Sequence, residues 1–282
     1  LSVRLESAIW FITRACNYNC PYCWEINNQE NYAPEPFIDS EKWVEGWNRI
    51  KPKILDITGG EPMLQPNFLE LLEGLDKHIK LAMTTNLSDD KIVAQIANKH
   101  AKRFCSMTLS YHPSQTDWHN FFWKANLLKQ RGVENLTVNF VSYPTQLWGI
   151  GEVEEQCKRL GIRFHLDPYS PYPGGEYKLS DREIEYISKY HKDENRELTG
   201  VTERYPKGTN VMCPAGMSHI QVFPNGDVYR CGAMSVGRPP IGNLFNPYFK
   251  LPEKEEFCDR VNMCYGCDWD KVQEKIKVIR TK

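Results

Sequence analysis

Ala8-Ile9-Trp10-Phe11-Ile12-Thr13-Arg14-Ala15-Cys16-Asn17-Tyr18-Asn19-Cys20-Pro21-Tyr22-Cys23 is the stretch that decides how this chain is built. Residues 8–13 are apolar or β-branched and read as a strand. Directly after it, three cysteines fall within eight residues at the spacing C-x3-C-x2-C. Three thiolates on one loop can grip one face of a metal centre. A four-iron cluster takes four ligands, so three cysteines leave one iron open. An open position suits a catalytic centre, whereas structural sites are closed. A zinc site needs a fourth Cys or His nearby, and none follows as far as Ser40.

Working outward, strand and helix patterns alternate. Strands are expected at 53–58, 80–84, 105–110, 137–141 and 163–166. Helices are expected at 39–50, 67–75, 89–99, 116–130, 152–160 and 180–192, the fourth and fifth closed by Gly132 and Gly161. Six β-then-α units in a row imply a parallel sheet with crossover helices. Six fall short of a closed eight-unit barrel. The expected fold is α/β: a partial (β/α)6 TIM barrel over 1–193, a connector over 194–212, and a small C-terminal β-hairpin/helix domain over 213–282.

Parallel strands covered on both faces are normally apolar throughout. Here several alternate. Asp56 and Thr58, then Ser106, Thr108, Ser110 and His112, then Thr137, Asn139 and Tyr143, then Arg163, His165 and Asp167 fall on one face. Leu55, Ile57, Met107, Leu109, Val138, Phe140, Phe164 and Leu166 fall on the other. The polar side reads as the lining of a ligand channel, and ordinary satisfied burial is the plainer alternative.

Composition narrows the class. The 282 residues carry 35 Lys+Arg against 36 Asp+Glu, a net charge of −1, which speaks against a molecule-wide nucleic-acid surface. No apolar run approaches a membrane span and no signal pattern opens the chain, so a cytoplasmic protein without membrane partners is expected. Aromatics at 12% speak against disorder. Ten cysteines without a secretory signal point to metal or redox chemistry rather than a disulfide framework. Cys105 and Cys157 fall on apolar faces and read as core.

The C-x3-C-x2-C loop after the first strand resembles the signature of the radical S-adenosylmethionine (radical SAM) superfamily, with Tyr22 in the aromatic place before the third cysteine. Gly59-Gly60-Glu61-Pro62 at the end of the second strand is similar to that family's GGE motif, and Thr84-Thr85-Asn86 ends the third. The resemblance covers about residues 8–193. It implies that Cys16, Cys20 and Cys23 hold a [4Fe–4S] cluster whose open iron chelates S-adenosylmethionine (SAM). It implies that the Gly59–Pro62 backbone meets the SAM ammonium group. Tyr22, Glu61, Thr84, Asn86, Ser110 and Asn139 are the further cofactor-binding candidates. Reductive cleavage of SAM would yield a 5′-deoxyadenosyl radical that abstracts hydrogen from a C–H bond, with a flavodoxin- or ferredoxin-type protein as electron donor.

A second cysteine group lies near the end. Residues 219–230 read as a hairpin turning at Pro224-Asn225-Gly226, able to bring Cys213 and Cys231 together. Cys264-x2-Cys267 supplies a second pair. On spacing alone this is a four-thiolate zinc site. Beside the first motif, C-x12-G-x4-C resembles the start of the SPASM/twitch extension of radical SAM enzymes, in its shorter one-cluster form. The ligand spacing is similar to that of the 2-deoxy-scyllo-inosamine dehydrogenases. The resemblance implies a second [4Fe–4S] cluster on Cys213, Cys231, Cys264 and Cys267. Cys258 is left over, as an alternative ligand, a buried thiol or a catalytic hydrogen donor.

Two outcomes fit: dehydrogenation, with an electron passing to the auxiliary cluster, or epimerisation, with Cys258 returning hydrogen. His112, Tyr143, Arg163, His165 and Asp167 are the substrate-binding candidates, suited to hydroxyls, amines or a phosphate. A sugar, aminocyclitol or nucleotide-sugar is the favoured substrate. A ribosomal peptide is the alternative, made less attractive by the short stretch before Cys16, which leaves no room for a leader-binding region. A metal-stabilised interaction module without catalysis is the third reading.

Overall fold

The computed structural model describes residues 5–23, 35–169, 179–191, 210–235, 237–258, 264 and 277–279. Contacts divide the chain into two compact units, Leu1–Arg14 with Glu35–Ala82 and Glu203–Lys282, and Ala15–Pro34 with Met83–Thr202.

In the first unit, β1 (Ser7–Thr13) pairs in parallel with β2 (Ile54–Gly59). Between them lies α1 (Ser40–Ile50). After β2 come α2 (Phe68–Gly74) and the start of β3 (Lys80–Thr85). On β1's other edge lies β8 (His219–Val222), also parallel. It continues antiparallel into β9 (Asp227–Tyr229) and β10 (Gly242–Asn243). The turn between β8 and β9 is the expected one, with Gly226 at φ 83°, a region that disfavours a side chain. A second small sheet places β7 (Asn210–Cys213) between antiparallel β11 (Glu256–Cys258) and β12 (Lys277–Ile279). The core of this unit forms where Trp10 of β1 meets Trp43 and Trp47 of α1, with ring centroids 4.8 and 5.5 Å apart and no exposure. Spacing i, i+4 puts both tryptophans on one helix face. Burial of each ring stabilises by about 2–3 kcal/mol. Arg49 of α1 donates to the carbonyls of Leu244 and Asn246, fastening the later segment onto this helix.

In the second unit, β4 (Phe104–Ser110), β5 (Leu136–Val141) and β6 (Arg163–Asp167) pair in parallel. The helices are α3 (Asp90–Gln95), α4 (Trp118–Gln130), α5 (Ile150–Leu160) and α6 (Asp181–Ser188). Asp89 and Asp117 cap α3 and α4 with their side chains, Ser180 and Glu183 form a capping box on α6, and Gly161 ends α5 at φ 61°. On β4 and β5 the expected alternation is present, with Met107, Leu109, Val138 and Phe140 buried and Thr108, Ser110, Thr137 and Asn139 half-buried. On the edge strand β6 it weakens, with Leu166 buried but Phe164 half-buried like His165 and Asp167, and Arg163 exposed. Cys157 is fully buried and Cys105 half-buried. The fold is a mixed α/β one with parallel strands, and the described strands close no barrel. Among the described residues no helix is long and apolar enough to cross a membrane.

Candidate active site

The cysteine loop follows β1. Pro21 shapes a tight turn in which the Cys23 N–H reaches the Cys20 carbonyl at 3.0 Å. The Cys16 sulfur accepts the Tyr18 N–H at 3.5 Å. Cys20 is buried, and its thiol is pushed up to about 12, first by burial and then by the charges of Cys23 and Cys16. The neighbouring Cys23 and Cys16 thus disfavour the thiolate of Cys20. A bound cation reverses that preference, because it takes up thiolates and releases their protons.

The loop is braced from within its own unit. The Tyr22 hydroxyl and His112 Nδ1 are hydrogen-bonded at 2.9 Å. Burial lowers the His112 pKa to about 4, so its ring is neutral and can accept there. The Tyr22 ring also lies 5.0 Å from that of Tyr143, which in turn meets Tyr169 at 5.1 Å. His112 and Tyr143, expected among the substrate residues, therefore support the cysteine loop. Asn86, at the end of β3, directs its Nδ2 to Asn17 Oδ1 at 3.1 Å and to Cys16 Sγ at 3.9 Å.

Strand register assembles part of the expected polar face. Ser110, Asn139 and His165 stand side by side across β4, β5 and β6, with Thr108, Thr137 and Arg163 in the neighbouring row. Asn139 Nδ2 donates to Asp167 Oδ2 at 3.4 Å, and its buried Oδ1 has no partner among the described residues. A buried acceptor left open is costly unless a ligand or water fills it. Arg163 and His165 also line a groove of about 740 Å³ along α5 and β6, with Glu154, Glu155, Lys158 and Tyr190.

In the first unit, Gly59-Gly60-Glu61-Pro62 ends β2. Gly59 sits at φ 136°, and a Cβ there would come within 2.1 Å of the Thr13 carbonyl oxygen. The close approach that excludes a side chain at Gly59 is thus made by β1. The Gly60 N–H bonds the same carbonyl at 2.8 Å. Glu61 is fully buried, and its carboxylate accepts the Met63 N–H at 3.1 Å, capping a short turn at Pro62–Leu64.

Also in the first unit lie the C-terminal cysteines. Cys213 ends β7, Cys231 follows β9, and Cys258 ends β11, which pairs with β7 so that Cys258 faces Val211 and Glu256 faces Cys213. Burial raises the Cys213 thiol, and the charges of Cys258 and Cys264 raise it further. The Cys231 thiol rises to about 11, by burial and then by Cys213, Cys258 and Cys264. Cys258, undecided on spacing, belongs with this group. Cys267 lies outside the described residues. Sequence reasoning missed Arg230, whose buried guanidinium donates to the carbonyls of Ala215 (2.8 Å) and Cys213 (3.2 Å) and to Glu256 (2.6 Å). Its place directly before Cys231 was the available signal. Among the described residues no three Cys, His, Asp or Glu side chains converge tightly enough to hold a single metal ion. A multi-iron cluster is bulkier than one ion and holds its thiolates further apart.

Residues 10–146 match the family model of the radical SAM superfamily. The matched region, just under half of the chain, is similar to the radical SAM superfamily. A probable GTP 3′,8-cyclase of Methanococcus aeolicus is 24% identical to it over 218 residues, covering 70% of this chain and 66% of that protein. An AdoMet-dependent heme synthase of Methanosarcina barkeri is 23% identical, covering 92% of this chain and 89% of that one. Among solved structures, Streptococcus suis SuiB bound to precursor peptide SuiA superposes with a TM-score of 0.59 at 21% identity, over 87% of this chain and 63% of SuiB. That likeness shows a shared fold. This chain spans just under two thirds of the cyclase and of SuiB. The superfamily implies a [4Fe–4S] cluster and SAM. The three cysteines of the loop, with Cys20 disfavoured as a lone thiolate, and the open acceptor of Asn139 fit a cluster and a polar cofactor.

Proposed function

We propose that this chain is a radical SAM enzyme acting on a C–H bond of a sugar, aminocyclitol or nucleotide-sugar. The observation that carries the proposal is the loop of Cys16, Cys20 and Cys23, three thiols in one field within the matched radical SAM region. With one iron left for SAM, the reduced cluster supplies an electron that generates a 5′-deoxyadenosyl radical.

This chain's own residues do the rest. Cys16, Cys20 and Cys23 hold the cluster, and the Tyr22–His112 bond fixes the loop that bears them. Ser110, Asn139 and Asp167 offer hydroxyl, amide and carboxylate groups on one face, a set suited to a polyhydroxylated ligand. Three relatives are named as probable GTP 3′,8-cyclases, which agrees with a ribose-bearing or similar substrate. Cys213, Cys231, Cys264 and Cys258, the last in the place of Cys267, hold a second cluster in a closed thiolate site. With Cys258 taken as a ligand, dehydrogenation is preferred over epimerisation. A flavodoxin or ferredoxin delivers the electron.

The test is anaerobic reconstitution, then incubation with SAM, reductant and panels of nucleotide-sugars, aminocyclitols and peptides. 5′-Deoxyadenosine and product mass are followed together. Loss of two hydrogens from a sugar-class compound supports the proposal. Turnover confined to the peptide panel would replace the substrate class, and absence of 5′-deoxyadenosine with every panel would remove the enzyme reading.

A further inference from the structure

The turn after β3 is built in an unusual way. Leu87 adopts φ 57°, the left-handed region that a γ-branched side chain enters only under constraint. Its side chain is fully buried, and its N–H is held by Thr85 Oγ1 at 3.1 Å. Its carbonyl accepts from the ammonium of Lys124, a lysine only 1% exposed that also pairs with Asp90 at 2.9 Å. A buried cation and a left-handed leucine at one turn are both unfavourable alone, and such features concentrate where a local geometry has a task.

What the turn fixes is the amide of Asn86. The Ser88 N–H can only donate, and it lies 2.9 Å from Asn86 Oδ1. That contact settles which end of the amide is oxygen. The NH2 end must then face the cysteine loop, with one hydrogen for Asn17 Oδ1 at 3.1 Å and the other for Cys16 Sγ at 3.9 Å. Ser88 Oγ donates to the same Asn17 oxygen at 3.2 Å, so the amide has no free rotation. Asn86 is 5% exposed, and its dipole acts on the sulfur with little solvent screening.

We propose that Asn86 is a tuning residue, raising the reduction potential of the cluster on Cys16, Cys20 and Cys23 through an N–H···S hydrogen bond to Cys16. The inference rests on the cluster assignment made above. Hydrogen bonds to the sulfurs are among the levers that set iron–sulfur potentials. A donor favours the more negative, reduced state. The Tyr18 N–H makes the companion bond to the same sulfur from the backbone.

The test is an EPR-monitored redox titration of the anaerobically reconstituted full chain, reading the reduced-cluster signal that SAM perturbs, with no substrate present. Asn86→Asp keeps the acceptor for the Ser88 N–H and loses the donor, and Asn86→Leu loses both. At the wild-type midpoint, each variant is expected to show a reduced-to-oxidised ratio about tenfold lower, a shift of about 59 mV for one electron. Iron and sulfide per chain should stay at the wild-type level. An unchanged ratio overturns the proposal. So does loss of the cluster from both variants with the fold intact, which would make Asn86 a loop-holding residue instead. A wild-type chain that assembles no SAM-sensitive cluster would sink the cluster assignment itself, which separates the two failures.

Discussion

The two cysteine groups of this chain solve different problems. The N-terminal group sits on one short loop, three thiols in eight residues, and is braced by side chains from distant parts of its unit: Tyr22 with His112, and Cys16 with Asn86. The C-terminal group gathers Cys213, Cys231, Cys258 and Cys264 from separate segments, drawn together by strand pairing and by Arg230. One group offers three ligands and the other at least four. By ligand count alone, the first leaves a metal position for chemistry and the second closes it. On the function proposed above, the contrast is between ligands placed locally and oriented from outside and ligands brought together by strand pairing.

The largest effect that would break this contrast comes from the loop. Cys20→Ser should abolish 5′-deoxyadenosine formation and lower iron from about eight to about four per chain, since the C-terminal cluster is untouched. Iron and sulfide assay with product chromatography reads both. Retained SAM cleavage in this variant would show that the open site lies elsewhere. Next comes Cys258→Ala. It should also lower iron to about four per chain, yet leave substrate-uncoupled 5′-deoxyadenosine formation in place. If iron stays at eight and only solvent hydrogen incorporation into product disappears, Cys258 is a hydrogen donor and the product an epimer. The same substitution at the half-buried Cys105 should change neither reading.

How legible these sites were differs by the range of the contacts that make them. The loop cysteines could be read from spacing because their geometry is local. The parallel strands and the polar and apolar faces followed from period-two alternation, as at Thr137–Val141. Cys258 could not be placed, because its position depends on β11 pairing with β7, whose residues lie more than forty positions earlier in the chain. Likewise the C-terminal hairpin read correctly as a hairpin, but nothing local told that β8 would add in parallel to β1. His112 and Tyr143 pointed to the polar face by alternation, yet both lie just beyond their strand ends, where the period no longer governs direction. Gly59 looked like a ligand-contact glycine, and the structure adds a second demand for glycine there, the close approach of the Thr13 carbonyl.

A smaller effect separates ligand from support within the C-terminal group. Arg230→Met removes the charged donor that joins Cys213, Ala215 and Glu256. Hydrogen bonds from a charged group contribute about 2 kcal/mol, lowering the melting temperature by about 5 °C in a chain of this size. Because Glu256 is half exposed, most of the loss comes from the two carbonyls rather than the ion pair. Thermal unfolding should show the drop while the N-terminal cluster keeps its SAM-sensitive signal. A variant as stable as wild type would remove Arg230 from the support of this group.

The smallest effect concerns a device both regions share, a buried neutral histidine. His219 of β8 pairs its Nδ1 with Ser7 Oγ of β1 at 2.8 Å, much as His112 pairs with Tyr22. Burial lowers the His219 pKa from 6.5 to about 4. The unfolded chain therefore takes up this proton first as the pH falls. The stability from a neutral His219 is complete above about pH 6.5 and is lost progressively toward pH 4. Between pH 7 and pH 6 the loss is about 0.7 kcal/mol for one such histidine. His219→Gln keeps a polar group near Ser7 and removes the titration. The drop in melting temperature between pH 7 and pH 6 should shrink in the variant. An identical drop in the variant would mean that His219 is solvated as a cation in the folded chain, and that the β1–β8 junction lacks the neutral pairing that braces the cysteine loop.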